Sequence, residues 1–426
     1  MIQYHSENVI KNMTNGKKPR VLHIVESWHP RVAGYTIRSW ALLTAQATSD
    51  YANPFVLVSS RQHMYGHSEV TQLPNQPNHV ALLEPSAREK MVRKGYGSYI
   101  DTAHLACEID RLCATWSIDA IHCHWSSGMG RAAAAVAQKR KLPLIAEVRF
   151  DLTGAVFSET VGRSAALLEW PLRRYFEQYL RSADSIVAAS YTLADLLSNT
   201  FSEQADRIHV VPNGVDCAAF YPQEKEPKLI GALELDGKFV IGSTSNMLRY
   251  EGLETLLDLL PSLQEQLPNC HLLLVGDGTQ RAQLERRAQE EKLPVTFAGS
   301  VPKEDVVRYL NLIDLFVVPR LDLSITRYAS PLKVIEAMAC GCAIVGTGVG
   351  DIPMLLGDER GLLVAPHSTQ KFAAAIVSLA RDSAQRQRLS QNAQEWSREY
   401  LSWRETVDLY RDIYAHLFSP KTRASD

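Results

Sequence analysis

One carboxylate and one ammonium stand where a buried helix should carry neither. In the stretch "ASPLKVIEAMACGCAIVGT" (329–347), Leu332, Val334, Ile335, Ala337, Met338 and Ala339 put apolar groups on nearly every side of a helix, the pattern of a helix packed inside a core. Glu336 sits among them, and Lys333 falls in the first turn, where the positive end of the helix dipole disfavours a cation. Ser330 is placed to N-cap this helix and Pro331 suits its first position. The free N–H groups of the helix start and the Lys333 ammonium then converge on one point, which binds an anion such as phosphate. Glu336, one turn deeper, costs several kcal/mol if it lacks a hydrogen bond, and a sugar diol such as ribose supplies one. The alternative is a mutual Lys333–Glu336 pair at the i,i+3 spacing.

Other candidates also follow apolar runs. "HLLLVGDGTQRAQLE" puts Gly276, Asp277 and Gly278 between a strand and a helix, where backbone can closely approach a ligand, although Asp-Gly is also an ordinary turn. "SNMLRYEGLETLL" leaves Arg249 in a loop before a helix, available to a phosphate or simply solvated. "HIVESWHPRVAGYTIRSW" gives strand, loop, Gly34 and helix, a plausible diphosphate contact without a fuller glycine fingerprint. "AIHCHW" ends in His122 and His124 on one face, which suits a polar role at a strand end; no second cluster at ligand spacing supports zinc. "EVRF" places Glu147 and Arg149 on one face at the same edge, where they can pair with each other.

The elements that must position these residues alternate. From Arg20 onward, short β-branched runs exchange with longer amphipathic stretches, the signature of parallel sheets covered by helices. Seven strands are expected in the first half, at "RVLHIVES", "PFVLVSS", "HVALLE", "AIHCHW", "PLIAEV", "SIVAAS" and "IHVVPN". Six follow in the second, at "FVIGSTS", "HLLLVGD", "VTFAGS", "LFVVP", "AIVGT" and "GLLVAP". The expected division is a disordered tail (1–18), a first doubly wound domain (19–215), a linker (216–237), a second such domain (238–400), a final helix (401–418) and a tail (419–426). Trp403, Val407, Tyr410 and Tyr414 are spaced for one face of that helix, which either closes the second domain or crosses back to the first. Open α/β sheets bind ligands at the carboxyl ends of their strands, so two facing edges imply a cleft.

The 426 residues exceed one ordinary core. Lys+Arg number 45 against Asp+Glu 47, so no basic excess points to nucleic acid. Seven scattered cysteines without a CxxC pair read as reduced thiols in a cytoplasmic setting, and Cys340 and Cys342 are too close for a metal knuckle. No run has signal-peptide or membrane-spanning character. The basic stretch "SAREKMVRKGYGSYI", with Arg88, Lys90, Arg93, Lys94, Tyr96 and Tyr99, suits peripheral contact with an anionic membrane face or else a solvated helix face.

Taken in order and spacing, "RIHVVPNGVDCAAFYP", "HLLLVGDGTQRAQLE", "VTFAGSVPKEDVVRYLNLIDLFVVP", "SPLKVIEAMACGCAIVGT", "GDIPMLL" and "GLLVAP" resemble the glycosyl transferases group 1, retaining enzymes of the GT-B fold. The likeness runs from Arg20 to about residue 417. "AGYTIRS", "EVRF", "RYEGL" and "PR" before "SPLK" look like a subgroup associated with exopolysaccharide loci. The resemblance implies two Rossmann-like domains, α/β, facing across a cleft, with the final helix crossing back to the first. It implies that the second domain binds a nucleotide sugar, a UDP- or GDP-linked co-substrate, without metal or other cofactor. Glu336 would take the ribose hydroxyls, Ser330, Pro331, Leu332 and Lys333 the diphosphate, and backbone near Val301 the base. Gly34 would approach the phosphates beside Tyr35 and Arg149, and His124 would lie by the transferred sugar. Where many members carry a first glutamate and a loop Arg and Lys, this chain has Tyr328, Asn246 and Glu251, so Asp322 and Arg249 are expected to substitute.

The expected function is therefore transfer of a hexosyl unit, with retention, to a glycan or lipid-linked acceptor in polysaccharide or glycoconjugate synthesis, at or near the inner membrane face. The catalytic candidates are His124, Arg249 and Lys333. The alternatives are a catalytically impaired nucleotide-sugar-binding partner, or another activity on the same fold such as a sugar-nucleotide epimerase or a phosphorylase.

Overall fold

The computed structural model describes residues 17–31, 33–71, 77, 79–92, 100–124, 127–149 and 166–418. Most of the expected N-terminal tail, the tail 419–426, and Arg93, Lys94, Tyr96 and Tyr99 of the basic stretch lie outside them; Arg88 and Lys90 are exposed.

Two parallel sheets account for the alternation, each in its own compact unit. The first unit comprises Met1–Pro212 and Trp403–Asp426, the second Asn213–Ser402. In the first, β1 (Arg20–Val25), β2 (Asn53–Val58), β3 (Val80–Leu82), β4 (Ala120–His124), β5 (Leu144–Val148), β6 (Ser185–Ala188) and β7 (Ile208–Val210) run in the order β3-β2-β1-β4-β5-β6-β7. In the second, β8 (Phe239–Ser245), β9 (Cys270–Gly276), β10 (Val295–Gly299), β11 (Leu315–Val318), β12 (Ile344–Thr347) and β13 (Leu362–Val364) run β10-β9-β8-β11-β12-β13. All pairs are parallel, so helices must carry the chain back and cover both faces. That is why the inner strands are buried throughout, with Ile121, Val317 and Ile344 fully inaccessible.

The strand order reverses between β1 and β4 in the first unit and between β8 and β11 in the second. Connections leave such a point toward opposite faces and open a crevice at the strands' carboxyl ends. The register there sets His23 beside His122 across β1 and β4.

One local reading changes. The stretch 216–237 is part of the second unit: it carries the helix Pro227–Ala232, and Phe220 and Leu235 join that unit's core. The polar loop after β11 folds into a short helix, Ser324–Tyr328, with Thr326 buried and bonded to the carbonyls of Leu321 and Leu323. The helix Trp403–Leu417 belongs to the first unit, with Tyr410 and Tyr414 fully buried there. Among the described residues no helix is long and apolar enough to cross a membrane.

Candidate active site

In the second unit the helix containing Glu336 spans Leu332–Ala339, and its N-cap is Pro331, not Ser330. Ser330 offers its carbonyl to Asn213 Nδ2 at 3.0 Å instead. The helix buries Val334, Ile335, Ala337, Met338 and Ala339, as its apolar sides require. Lys333 does not pair with Glu336. Its ammonium bonds to Glu251, whose Oε2 also lies 3.4 Å from Arg320 Nε. Glu251 is 4% exposed; against the cost of burial, Lys333 and then Arg320 hold its carboxyl down at about 2. Burial pulls the Lys333 ammonium below its ordinary range, with Glu251 opposing.

Glu336 is left without a hydrogen bond or ion pair among the described residues. Burial raises its carboxyl above the usual range, and only the field of Lys303 opposes this. A half-buried carboxylate on a packed helix with no protein partner is an acceptor waiting for donors.

Around the crevice, Gly276 (φ +125°) and Gly278 (φ +159°) serve a backbone approach to another loop. A Cβ on Gly276 would stand 1.9 Å from the Ser245 carbonyl oxygen, and one on Gly278 1.8 Å from that of Asn246. The loop after β9 is thus keyed against the loop after β8. Asn246 is exposed and donates to Tyr250 Oη at 3.2 Å. Arg249 is exposed, in the turn Arg249–Glu251, without a hydrogen bond or ion pair among the described residues. Val301 is half-buried against the unit's core. Asp322 is held by both arms of Arg327, at 2.5 and 2.9 Å, and that pair lowers its carboxyl. Tyr328, half-buried, ends the short helix carrying Arg327.

In the first unit, Tyr35, His124 and Arg149 come together around Glu147. Arg149 donates to Glu147 at 2.8 Å, to the Tyr35 carbonyl at 2.9 Å, to Ser39 at 2.8 Å and to His124 Nδ1 at 2.7 Å, and its guanidinium lies 4.2 Å from the Tyr35 ring centre. The Glu147–Arg149 pair expected at this edge is therefore present, but it is one link of a larger network. Arg38 reaches Glu147 at 3.1 Å and the carbonyls of Val211 and Pro212 at 2.8 and 2.9 Å. Tyr410 completes the shell of Glu147. Although burial opposes it, His124, Arg149, Arg38 and His122 together hold the Glu147 carboxyl well below its ordinary value.

Arg149 Nη2 at 2.7 Å and Glu147 Oε2 at 3.2 Å both face His124 Nδ1, and His124 Nε2 shares a hydrogen bond with His23 Nδ1 at 2.8 Å. Burial, against the pull of Glu147, takes His124 down to about 3, so it is neutral. Both ring nitrogens are engaged and the side chain is inaccessible; its carbonyl accepts from Tyr35 Oη. His23, His122 and His124 offer nitrogens within 4.8 Å of one another. The 2.8 Å contact is hydrogen-bond spacing, however, whereas tetrahedral ligands about 2.1 Å from zinc stand about 3.4 Å apart. Two guanidiniums beside the group further disfavour a cation. Gly34 opens the helix Gly34–Ala47, and a Cβ there would meet no atom of the described residues within 4 Å.

Arg38, His23 and Arg320 were not singled out by sequence reasoning. Two of them carry a signal: His23 is a histidine inside the apolar strand "RVLHIV", and Arg320 an arginine directly after "LFVVP". The spacing of Tyr410 and Tyr414 on one core-facing side conceals that their hydroxyls reach polar partners at Glu147 and Gln46.

The family model for glycosyl transferases group 1 matches residues 226–396, and that for Glycosyltransferase Family 4 matches residues 74–219. A glycogen synthase of Mycobacterium tuberculosis is 24% identical over 311 residues, 70% of this chain and 69% of that one. The putative teichuronic acid biosynthesis glycosyltransferase TuaC of Bacillus subtilis is 26% identical over 262 residues, 61% of this chain and 60% of the relative. Among solved structures, a sucrose-phosphate synthase from Thermosynechococcus elongatus aligns with a TM-score of 0.73 at 20% identity, covering 94% of this chain and 99% of that one. Anabaena Alr3699/HepE, solved with UDP-glucose, aligns with a TM-score of 0.67 at 18% identity, covering 93% and 99%. A glycosyltransferase family model thus matches part of each half of the chain, that of group 1 over residues 226–396, and both sheets have the GT-B fold of these solved structures.

Proposed function

We propose that the chain moves a hexosyl unit from a nucleoside-diphosphate sugar to a glycan or lipid-linked acceptor with retention of anomeric configuration and without a metal ion. The observation that carries this reading is Glu336, a carboxylate on a packed helix with no hydrogen bond or ion pair among the described residues and a raised pKa, suited to accept two hydrogen bonds from a ribose diol. The start of the same helix offers N–H groups to the diphosphate, with Lys333 beside them and Arg249 able to swing in. The base packs along the backbone near Val301, and the first unit receives the acceptor.

In the reaction the bond from the anomeric carbon to the phosphate oxygen breaks, and the acceptor oxygen bonds to that carbon on the face the diphosphate leaves. A phosphate oxygen takes the acceptor's proton. Fixed positive charge stabilises the leaving diphosphate, the role a metal plays elsewhere, so turnover should persist in excess chelator. The UDP-glucose complex of HepE favours a uridine donor, and the teichuronic acid role given to TuaC favours a polysaccharide acceptor.

Glu336→Gln tests the reading, because it keeps the volume and removes only charge-assisted bonds. Nucleotide-diphosphate affinity should fall about tenfold or more with the melting temperature nearly kept. Unchanged affinity removes Glu336 from the ribose role. A second reading, a non-catalytic nucleotide-sugar-binding partner, is favoured by Tyr328, which stands where many relatives carry a glutamate. It wins if the intact protein turns over no donor from a broad panel with a matched glycan acceptor.

A further inference from the structure

Glu251 faces two cations. We propose that Glu251 is a positioning residue whose carboxylate fixes Lys333 and Arg320 as a paired clamp for the donor diphosphate, so that Arg320, rather than the exposed Arg249, supplies the second fixed positive charge. The proposal rests on the donor reading given above.

Three loops at the carboxyl edge of the second sheet build the clamp. Glu251 follows β8, Arg320 follows β11, and Lys333 lies in the first turn of the helix Leu332–Ala339. The strand order reverses between β8 and β11, where an open sheet receives its ligand. The loops are keyed together by backbone. Gly252 (φ +70°) packs so closely on β11 that a Cβ would stand 2.0 Å from the Pro319 carbonyl oxygen, and Leu321 N–H donates to the Tyr250 carbonyl at 3.0 Å. Arg320 is held at its carbonyl by Thr347 Oγ1 at 2.8 Å, and its Nη1 donates to the Ala329 carbonyl at 2.9 Å, just before the helix.

Charge does not balance there. Two cations with side chains 8% and 12% exposed share one carboxylate that is 4% exposed, which leaves one positive charge largely withdrawn from water. Buried charge is costly unless it is paired, so the arrangement is completed by an anion. Arg320 keeps Nη2 without a protein partner among the described residues. Glu251 thus aims the cations in advance, and the diphosphate meets donors that need no reorganisation.

The test measures binding of UDP, GDP and ADP to the full chain, and then of the matching nucleoside monophosphate and inorganic pyrophosphate, by titration calorimetry. Arg320→Gln and Glu251→Gln should each weaken the diphosphate and pyrophosphate about tenfold or more, while the monophosphate changes less than about threefold. Arg249→Ala should lose less than Arg320→Gln. Tighter binding by Glu251→Gln would show that Glu251 competes for Lys333 and overturn the proposal, as would unchanged affinity in Arg320→Gln. If the glutamine variants fold poorly, Glu251→Asp and Arg320→Lys keep the charges and should show smaller losses with the same bias toward the diphosphate; equal losses for both nucleotides count against the clamp. Should Glu336→Gln weaken nucleotide binding while the clamp variants do not, only the clamp fails. If the folded wild type binds none of the three nucleotides, the donor reading itself fails.

Discussion

The Tyr410 hydroxyl donates to Glu147 Oε2 at 2.5 Å, across 263 residues of sequence, and both side chains are fully inaccessible. The carboxylate also receives Arg38 and Arg149 at Oε1, so its burial depends on a tyrosine from the last helix as much as on its own strand.

Tyr410→Phe should therefore destabilise the first unit by about 1.5–3 kcal/mol, the usual loss for a bond to a charged group. The cavity left is small, so Tyr410→Leu should cost more. Urea unfolding checks this; a loss below about 0.5 kcal/mol would mean that the hydroxyl contributes little to holding the carboxylate.

Acid should weaken the two units at different pH. Burial lowers the folded pKa of His23, His122 and His124, the last to about 3 from an ordinary 6.5. Below about pH 6.5 the unfolded chain binds protons that the folded chain refuses, so stability present above that pH is lost as it falls, by up to about 1.4 kcal/mol per unit for each histidine. Glu251, lowered to about 2 from 4.5, contributes stability that is lost only below about pH 4.5. Hydrogen exchange between pH 7 and 4.5 should show the first unit opening before the second. The reverse order would contradict the assigned protonation states.

Gly278→Ala must displace the Asn246 carbonyl, 1.8 Å from the new Cβ. We expect a stability loss of about 1–3 kcal/mol and weaker nucleotide binding, because the loop carrying Asn246, Arg249 and Glu251 shifts. Unaltered melting and binding would show that the two loops yield freely.

Asp322 is tied to Arg327 by an exposed pair, worth no more than about 1 kcal/mol, so it can open for a ligand. If Asp322 replaces the sugar-binding glutamate that Tyr328 displaces, Asp322→Asn should cut turnover at least about tenfold with nucleotide affinity kept. Little effect would leave the sugar read by other groups, and increased turnover from Tyr328→Glu on a glucose donor would then mark a change of specificity.

The strands were legible because each is an apolar run between breakers, and all thirteen named runs form strands at those places. The isolated strangeness of Lys333 and Glu336 was legible too. Their partners were not: periodicity predicts which residues share a face, and Glu251 lies 82 positions from Lys333, joined to it only through the strand order. Ser330 misled because capping chemistry is read locally, whereas Asn213 takes its carbonyl and Pro331 becomes the cap. His124 was legible as a strand-end histidine, but its engagement on both nitrogens arises from Arg149 and His23 on neighbouring strands.

The first unit is interrupted: 190 residues of a second unit, Asn213–Ser402, separate its sheet from its last helix. On the ribosome the sheet emerges early, yet Glu147, Gln46 and Tyr51 must wait for Tyr410, Tyr414 and the Val407 carbonyl. Until then two arginines and a carboxylate lie under no lid. The inserted unit, continuous in sequence, can complete its own sheet during that interval. A chain stopped between residues 213 and 402 therefore carries the first sheet without the helix whose Tyr410 covers Glu147.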